Sequence, residues 1–110
     1  MEKKQPLFIK TLGDSPKARV LFYLIWTRGM DICLTDLARN SRVSRATLLK
    51  MWKSLIKDKI LIHTRDIGRA KMFKLNEDDL KIKQLIGLYK ICLEKEAEIG
   101  LAKQEIKIPI

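Results

Sequence analysis

The segment Thr35–Ile60, TDLARNSRVSRATLLKMWKSLIKDKI, decides how the rest of the chain is read. A short helical run ends near Asn40, the corner Ser41-Arg42-Val43 follows, and Ser44 opens a second helix. In that helix Leu48, Trp52, Leu55 and Ile56 recur at helical spacing and Met51 can join them, while Arg45, Thr47, Lys50 and Lys53 fall on the other side. Ala38 is small enough for two helices to cross closely, and Val43 and Leu48 lie where such a pair needs apolar plugs. Thr35 is the expected cap of the first helix. Arg42 stands where glycine is the commonest residue, and a left-handed Arg42 costs on the order of 1 kcal/mol relative to glycine.

Working outward, Ile60–Leu75 (ILIHTRDIGRAKMFKL) predicts strand, a basic turn at Gly68, and strand. Ile32-Cys33-Leu34 suits a stub strand ahead of the first helix. Upstream, Gly13-Asp14-Ser15-Pro16 is a helix start, with Asp14 or Ser15 as cap and Pro16 in the first turn. That helix is expected to reach about Arg28 and stop at Gly29, with Val20, Leu21, Leu24 and Ile25 inward and Phe22, Tyr23 and Trp26 widening the stripe. Trp26 and Trp52 are assigned to the core by spacing. Downstream, Asn76 and Asp79 resemble a capping box, and a last helix is expected from about Glu77 to near Ile99. The order predicts a mainly α fold with a small β-hairpin: a winged helix-turn-helix plus a C-terminal helix. The expected division is an N-terminal arm (1–12), the winged unit (13–76) and a C-terminal dimerisation helix with its tail, EIKIPI (77–110).

Apolar residues make up 46% of the 110 residues, enough for a single core, and no apolar run nears the ~20 residues of a membrane helix. The N-terminus lacks the apolar stretch and small-residue cleavage site of an export signal, so the expected location is cytoplasmic, with the nucleoid. Cys33 and Cys92 stand far apart with one histidine in the chain, which argues for neither a zinc site nor a disulfide framework. Charge is the more telling quantity. Up to Leu75 there are 17 Lys/Arg against 6 Asp/Glu, a surplus of +11, whereas from Asn76 onward 6 face 7. The whole excess of positive charge lies with the winged unit, where it can attract polyphosphate and release counterions.

A major groove about 12 Å wide admits one helix, and its first turns come nearest the base edges. Arg45 can fork onto guanine, Thr47 can bond an edge or pack on a thymine methyl, and Leu49 can touch such a methyl. Lys50 and Lys53 suit phosphates; Ser44 is a cap that can also bond a phosphate, and Thr35 and Arg42 are candidate DNA-backbone contacts. For Arg45 and Lys50 the plainer reading is a solvated helix face. In the wing, Arg65, Gly68, Arg69 and Lys71 are the candidates, with Arg69 best placed for a minor groove. An ordinary solvated hairpin is the alternative there. His63 reads as a satisfied half-buried histidine. No nucleophile elbow, phosphate-cradling glycine loop, paired carboxylates or metal spacing occurs, so no catalytic residues, metal ligands or cofactor are assigned. In the last helix Ile82, Leu85, Tyr89 and Cys92 form one stripe, and Leu88, Ile91 and Leu93 fall beside or opposite it. A homodimer interface through Ile82, Leu85, Leu88, Tyr89, Cys92 and Leu93, joined by Phe22 and Trp26, is the simplest cover for both.

Three segments, TLGDSPKARVLFYL, LTDLARNSRVSRATL and HTRDIGRAKMFKLN, cover most of Thr11–Asn76. Taken in order they resemble archaeal winged helix-turn-helix transcriptional regulators, in the broad class that includes the multiple-antibiotic-resistance regulators. The resemblance implies a sequence-specific binder of double-stranded DNA, usually a homodimer, with the Ser44 helix as reader and the Gly68 turn as wing. It carries over no effector pocket. The competing expectations are a non-specific chromatin-type binder or a winged-helix protein–protein adaptor, then an RNA-binding winged domain. An adaptor has no need of cations on both helix and wing, and a non-specific binder does not discriminate among sequences.

Overall fold

The computed structural model describes residues 5–107, with side chains through residue 99. Five helices and one hairpin follow in the order α1 (Leu7–Leu12), α2 (Pro16–Trp26), α3 (Leu34–Ser41), α4 (Arg45–Lys57), β1 (Leu61–Ile67), β2 (Ala70–Leu75) and α5 (Leu80–Lys107). The winged helix-turn-helix with a C-terminal helix is therefore present. Ser15 caps α2, its Oγ accepting from the Ala18 amide at 3.1 Å, with Pro16 in the first turn. The helix stops at Trp26, two residues before the expected Arg28, and Gly29 turns the chain at φ 92°.

The turns before and after α4 each place a non-glycine residue in the left-handed region. Arg42 (φ 58°) follows α3, where the Val43 amide bonds the Ala38 carbonyl at 3.0 Å and the Arg42 amide bonds Arg39 at 3.2 Å. After α4, Lys59 (φ 58°) does the same: the Ile60 amide reaches the Leu55 carbonyl at 2.9 Å and the Lys59 amide reaches Ile56 at 3.0 Å. Both are paired six-to-one and five-to-two closures that satisfy the last helical carbonyls and throw an apolar residue, Val43 or Ile60, back onto the core. Thr35 is not the cap of α3. Cys33 occupies that position without a side-chain bond, and Thr35 is the second residue of the helix.

The core is one cluster. Val20 and Ile25 of α2, Leu37 of α3, Leu48 and Leu55 of α4, Leu61 and Leu75 of the hairpin, and Ile82 of α5 are all buried together. The N-terminal arm joins it: α1 buries Phe8 and Ile9, and the Phe8, Phe22 and Tyr89 rings lie 5.8 to 6.1 Å apart, tying α1, α2 and α5. α1 has no cap of its own. Glu96 of α5 supplies one, accepting from the Leu7 amide at 2.9 Å. Asp79 caps α5 through the Lys81 and Ile82 amides, while Asn76 makes a local turn and bonds the Lys59 carbonyl. The helix thus starts at Leu80 rather than near Glu77 and runs past Ile99 to Lys107. The side chains of the tail EIKIPI lie outside the described residues.

Two sequence assignments are corrected here. Trp26 is 62% exposed and not core, because it stands at the open end of the α2 stripe, stacked on Phe22 and edge-on to Tyr23. His63 is exposed on the hairpin rather than half-buried, its Nε2 2.7 Å from the Asp66 carboxylate. Relief of the left-handed strain offers a test of the turn account. Lys59→Gly is expected to stabilise the fold by about 1 kcal/mol, seen as a higher urea midpoint at unchanged slope.

Candidate nucleic-acid interface

Ser44 begins α4, the candidate recognition helix: its Oγ accepts from the Thr47 amide at 3.0 Å and donates to Thr47 Oγ1 at 2.8 Å. Leu48 and Leu55 are buried beneath α4, with Met51 and Trp52 half-buried, so the opposite face is presented outward. That face carries Arg45, Leu49, Lys50 and Lys53, all exposed, and Thr47 at its edge. Burying Leu48 fully is worth about 1.5–3 kcal/mol, which fixes the helix's rotation and thereby which residues face out. Arg45 folds back on α3, its guanidinium donating to Thr35 Oγ1 at 2.5 Å.

The hairpin stands beside this face. β1 and β2 are antiparallel, with Ile67 opposite Ala70, so Gly68 and Arg69 form a two-residue loop. Gly68 has φ 61° and Arg69 is not among the positive-φ residues, which fits the II′ geometry that demands glycine first. A cleft of about 270 Å³ between α3, α4 and the hairpin is lined by Thr35, Arg45, Trp52, Arg69, Lys71 and Phe73, among others. Arg45 of α4 and Arg69 and Lys71 of the hairpin therefore line one cleft. Trp52 and Phe73 hold that arrangement from beneath, edge to face at 5.1 Å. Among the described residues Arg45, Lys50, Lys53, Arg69 and Lys71 make no ion pair.

Other sequence candidates are placed differently. Arg65 holds Asp31, Nε to Oδ2 at 2.9 Å, so it supports the wing's base rather than standing free at its tip. The Arg42 side chain is exposed, and its main-chain carbonyl accepts from Arg19, which in turn pairs with Asp14 at 2.7 Å. On α5, Ile82, Tyr89 and Cys92 are buried in the chain's own core and are not available to a second chain. Leu85 and Leu88 are half-buried, whereas Ile91 and Leu93 are 54% and 46% exposed.

Sequence reasoning missed Asp31. Its partners come from a register shift between His63 and Arg65, where Thr64 is the extra residue. No alternation pattern announces a bulge. The Asp31 carboxyl is held below the ordinary aspartate value by the hydrogen bonds from Arg65 and Thr64, against the cost of burial. Asp14, Asp66 and Asp79 are lowered by their bonds to Arg19, His63 and Lys81 respectively.

No protein-family profile matches the chain, and no curated protein does. Solved structures share the fold. MepR, a transcription regulator of the Staphylococcus aureus multidrug efflux pump MepA, superposes with a TM-score of 0.60 at 13% identity, over 90% of this chain and 72% of that one. A MepR variant bound to an oligodeoxyribonucleotide scores 0.58 at 14% identity, covering 90% and 72%. A MarR family transcriptional regulator from Silicibacter pomeroyi DSS-3 scores 0.59 at 19% identity, covering 87% and 68%. The fold is thus the winged helix of MarR-like regulators.

The lowered carboxylates set the acid behaviour. A depressed folded-state value means stabilisation that is complete above the unfolded value and lost as pH falls through the folded one. The melting temperature is expected to hold level above about pH 5 and to drop below about pH 4, followed by circular dichroism.

Proposed function

We propose that this chain is a transcriptional regulator that binds double-stranded DNA sequence-specifically as a homodimer, and that it is not an enzyme. In this reading α4 enters the major groove, where Arg45 and Thr47 read base edges and Leu49 meets a thymine methyl. Ser44, Lys50, Lys53 and Thr35 bond phosphates. The Gly68 turn carries Arg69 and Lys71 to the flanking minor groove or backbone. The observation that carries the reading is the shared surface: Arg45 of the helix and Arg69 and Lys71 of the wing line one cleft, unpaired among the described residues. Arg45 must leave Thr35 to reach a base, and a single hydrogen bond between exposed groups is a small cost beside a forked guanine contact. The MarR-like fold and a DNA-bound protein of that fold support the same reading.

Selection from random duplexes tests it most directly, because enrichment of a motif separates a regulator from a non-specific chromatin-type binder. On the enriched duplex, Arg45→Ala is expected to cost about 1–3 kcal/mol and relax preference at one or two base pairs. Lys53→Ala is expected to weaken all sequences alike and reduce the salt slope by roughly 1. An equal loss on specific and random DNA from Arg45→Ala would demote it to a phosphate contact.

The dimer half of the proposal rests on α5, with Leu93, Ile91 and Ile99 left exposed, and on the exposed Trp26 of α2. Two winged units on a two-fold axis double a short recognition surface, with half-sites about one helical turn apart. Leu93→Glu, at a position the chain does not bury, is expected to give a folded monomer with weakened DNA binding. Equilibrium sedimentation decides: a monomeric unmodified chain at tens of micromolar would sink the dimer.

A further inference from the structure

We infer that Asp31 is the positioning residue of the wing: its carboxylate clasps the β1 bulge and fixes the direction in which the Gly68–Arg69 tip points. The inference rests on the DNA-binding reading above for its functional consequence, though not for its mechanical one.

An isolated two-stranded hairpin is marginal in water, and the outer part of this one has little to lean on. Along β1 only Leu61 is buried. Toward the tip, Ile62 through Ile67 are all exposed. Two attachments lie side by side in the loop before α3. Ile32 bonds β2 through its backbone, its amide to the Phe73 carbonyl at 2.8 Å and the Phe73 amide to its carbonyl at 2.9 Å. Its neighbour Asp31 bonds β1 through its side chain. Oδ2 accepts from Thr64 Oγ1 at 2.7 Å and from Arg65 Nε at 2.9 Å, and Oδ1 from Arg65 Nη2 at 3.3 Å.

Successive residues of a regular strand point to opposite faces, so one carboxylate cannot take both Thr64 and Arg65. The bulge removes that bar: Thr64 is the residue without a partner between His63 opposite Phe73 and Arg65 opposite Met72. The same shift brings His63 and Asp66 onto the other face, where they pair at 2.7 Å. Each strand is thereby pinned to the α3 approach, one by backbone and one by a charge-assisted fork. The Asp31 side chain is 17% exposed and that of Arg65 63%, so the carboxylate end of the fork is the more sheltered one.

The consequence runs against simple electrostatics. Removing an acidic group from a basic DNA-binding face ought to tighten binding through the extra positive charge. If Asp31 aims the wing, Asp31→Asn and Asp31→Ala weaken it instead, on the order of tenfold, the worth of one well-made wing contact. Arg65→Lys, which keeps the charge and breaks the fork, weakens binding in the same direction and decides the matter should the Asp31 variants fail to fold. The penalty of Arg69→Ala shrinks in the Asp31→Ala background, because an unaimed wing has less to lose. A second measurement needs no DNA: amide heteronuclear relaxation at Gly68 and Arg69 reports a more mobile tip in each clasp variant, with α2 and α4 unchanged, and Asp31→Glu recovering part of the order. Tighter or equal DNA binding by Asp31→Asn overturns the inference, as does an unchanged tip. If the unmodified chain binds no duplex, the functional proposal falls and the relaxation measurement alone decides the clasp.

Discussion

Leu48, wholly buried in the core, is the contact on which the exposed cationic face of α4 depends. A helix can be rotated freely about its axis until something fixes it, and one inward leucine per turn fixes it. With Leu48 and Leu55 down, Arg45, Lys50 and Lys53 have nowhere to point but outward. The same burial explains why a left-handed Arg42 is tolerated. The corner must reverse direction in few residues so that Leu48 and Val43 both enter the core, and two buried apolar side chains outweigh the strain of about 1 kcal/mol. Glycine would ease the turn, but the closure needs only the backbone geometry and two amides, which arginine supplies.

The wing is governed by a different constraint. It must project from the body to be useful, and projection strips it of core. Trp52 and Phe73 secure its base, the Ile32 bridge holds one strand, and polar bonds through Asp31 hold the other. Stability of the hairpin is thus local and partly electrostatic, while that of the helices is apolar and shared across the cluster. A surface built this way responds to salt and acid first at the wing and last in the helices.

How far the residues announced all this follows from the range of the forces involved. The helix-turn-helix was legible because periodic burial, a serine cap and a proline start are local signals, and Ser15 and Ser44 cap as their sequence contexts say. Boundaries slipped where side chains compete for the same job: Asp79 rather than Asn76 caps α5, because Asn76 is engaged with Lys59 and Asp78. The short helix α1 was not legible. It has no cap of its own and owes its place to Phe8 among distant aromatics and to Glu96, 89 residues away. Trp26 was misassigned since helical spacing says which face a residue is on and nothing about where the neighbouring element ends. Asp31 carried no signal at all, being chosen by a bulge that only pairing reveals.

α5 shows what one chain can and cannot cover. Its inner stripe, Ile82, Tyr89 and Cys92, closes the core beneath α1 and α2, so these residues answer to folding before any partner. Its outer positions Ile91, Leu93 and Ile99 stay largely exposed, although Leu93 and Ile99 border the α1 side of the fold. Single exposed apolar residues are ordinary on any protein surface, and at about 100° per residue Ile91 and Leu93 fall on nearly opposite sides of the helix, so α5 leaves apolar positions open on more than one face. The cations of α4 and the hairpin and the open apolar positions of α5 thus belong to different elements, and a change at one set leaves the other in place.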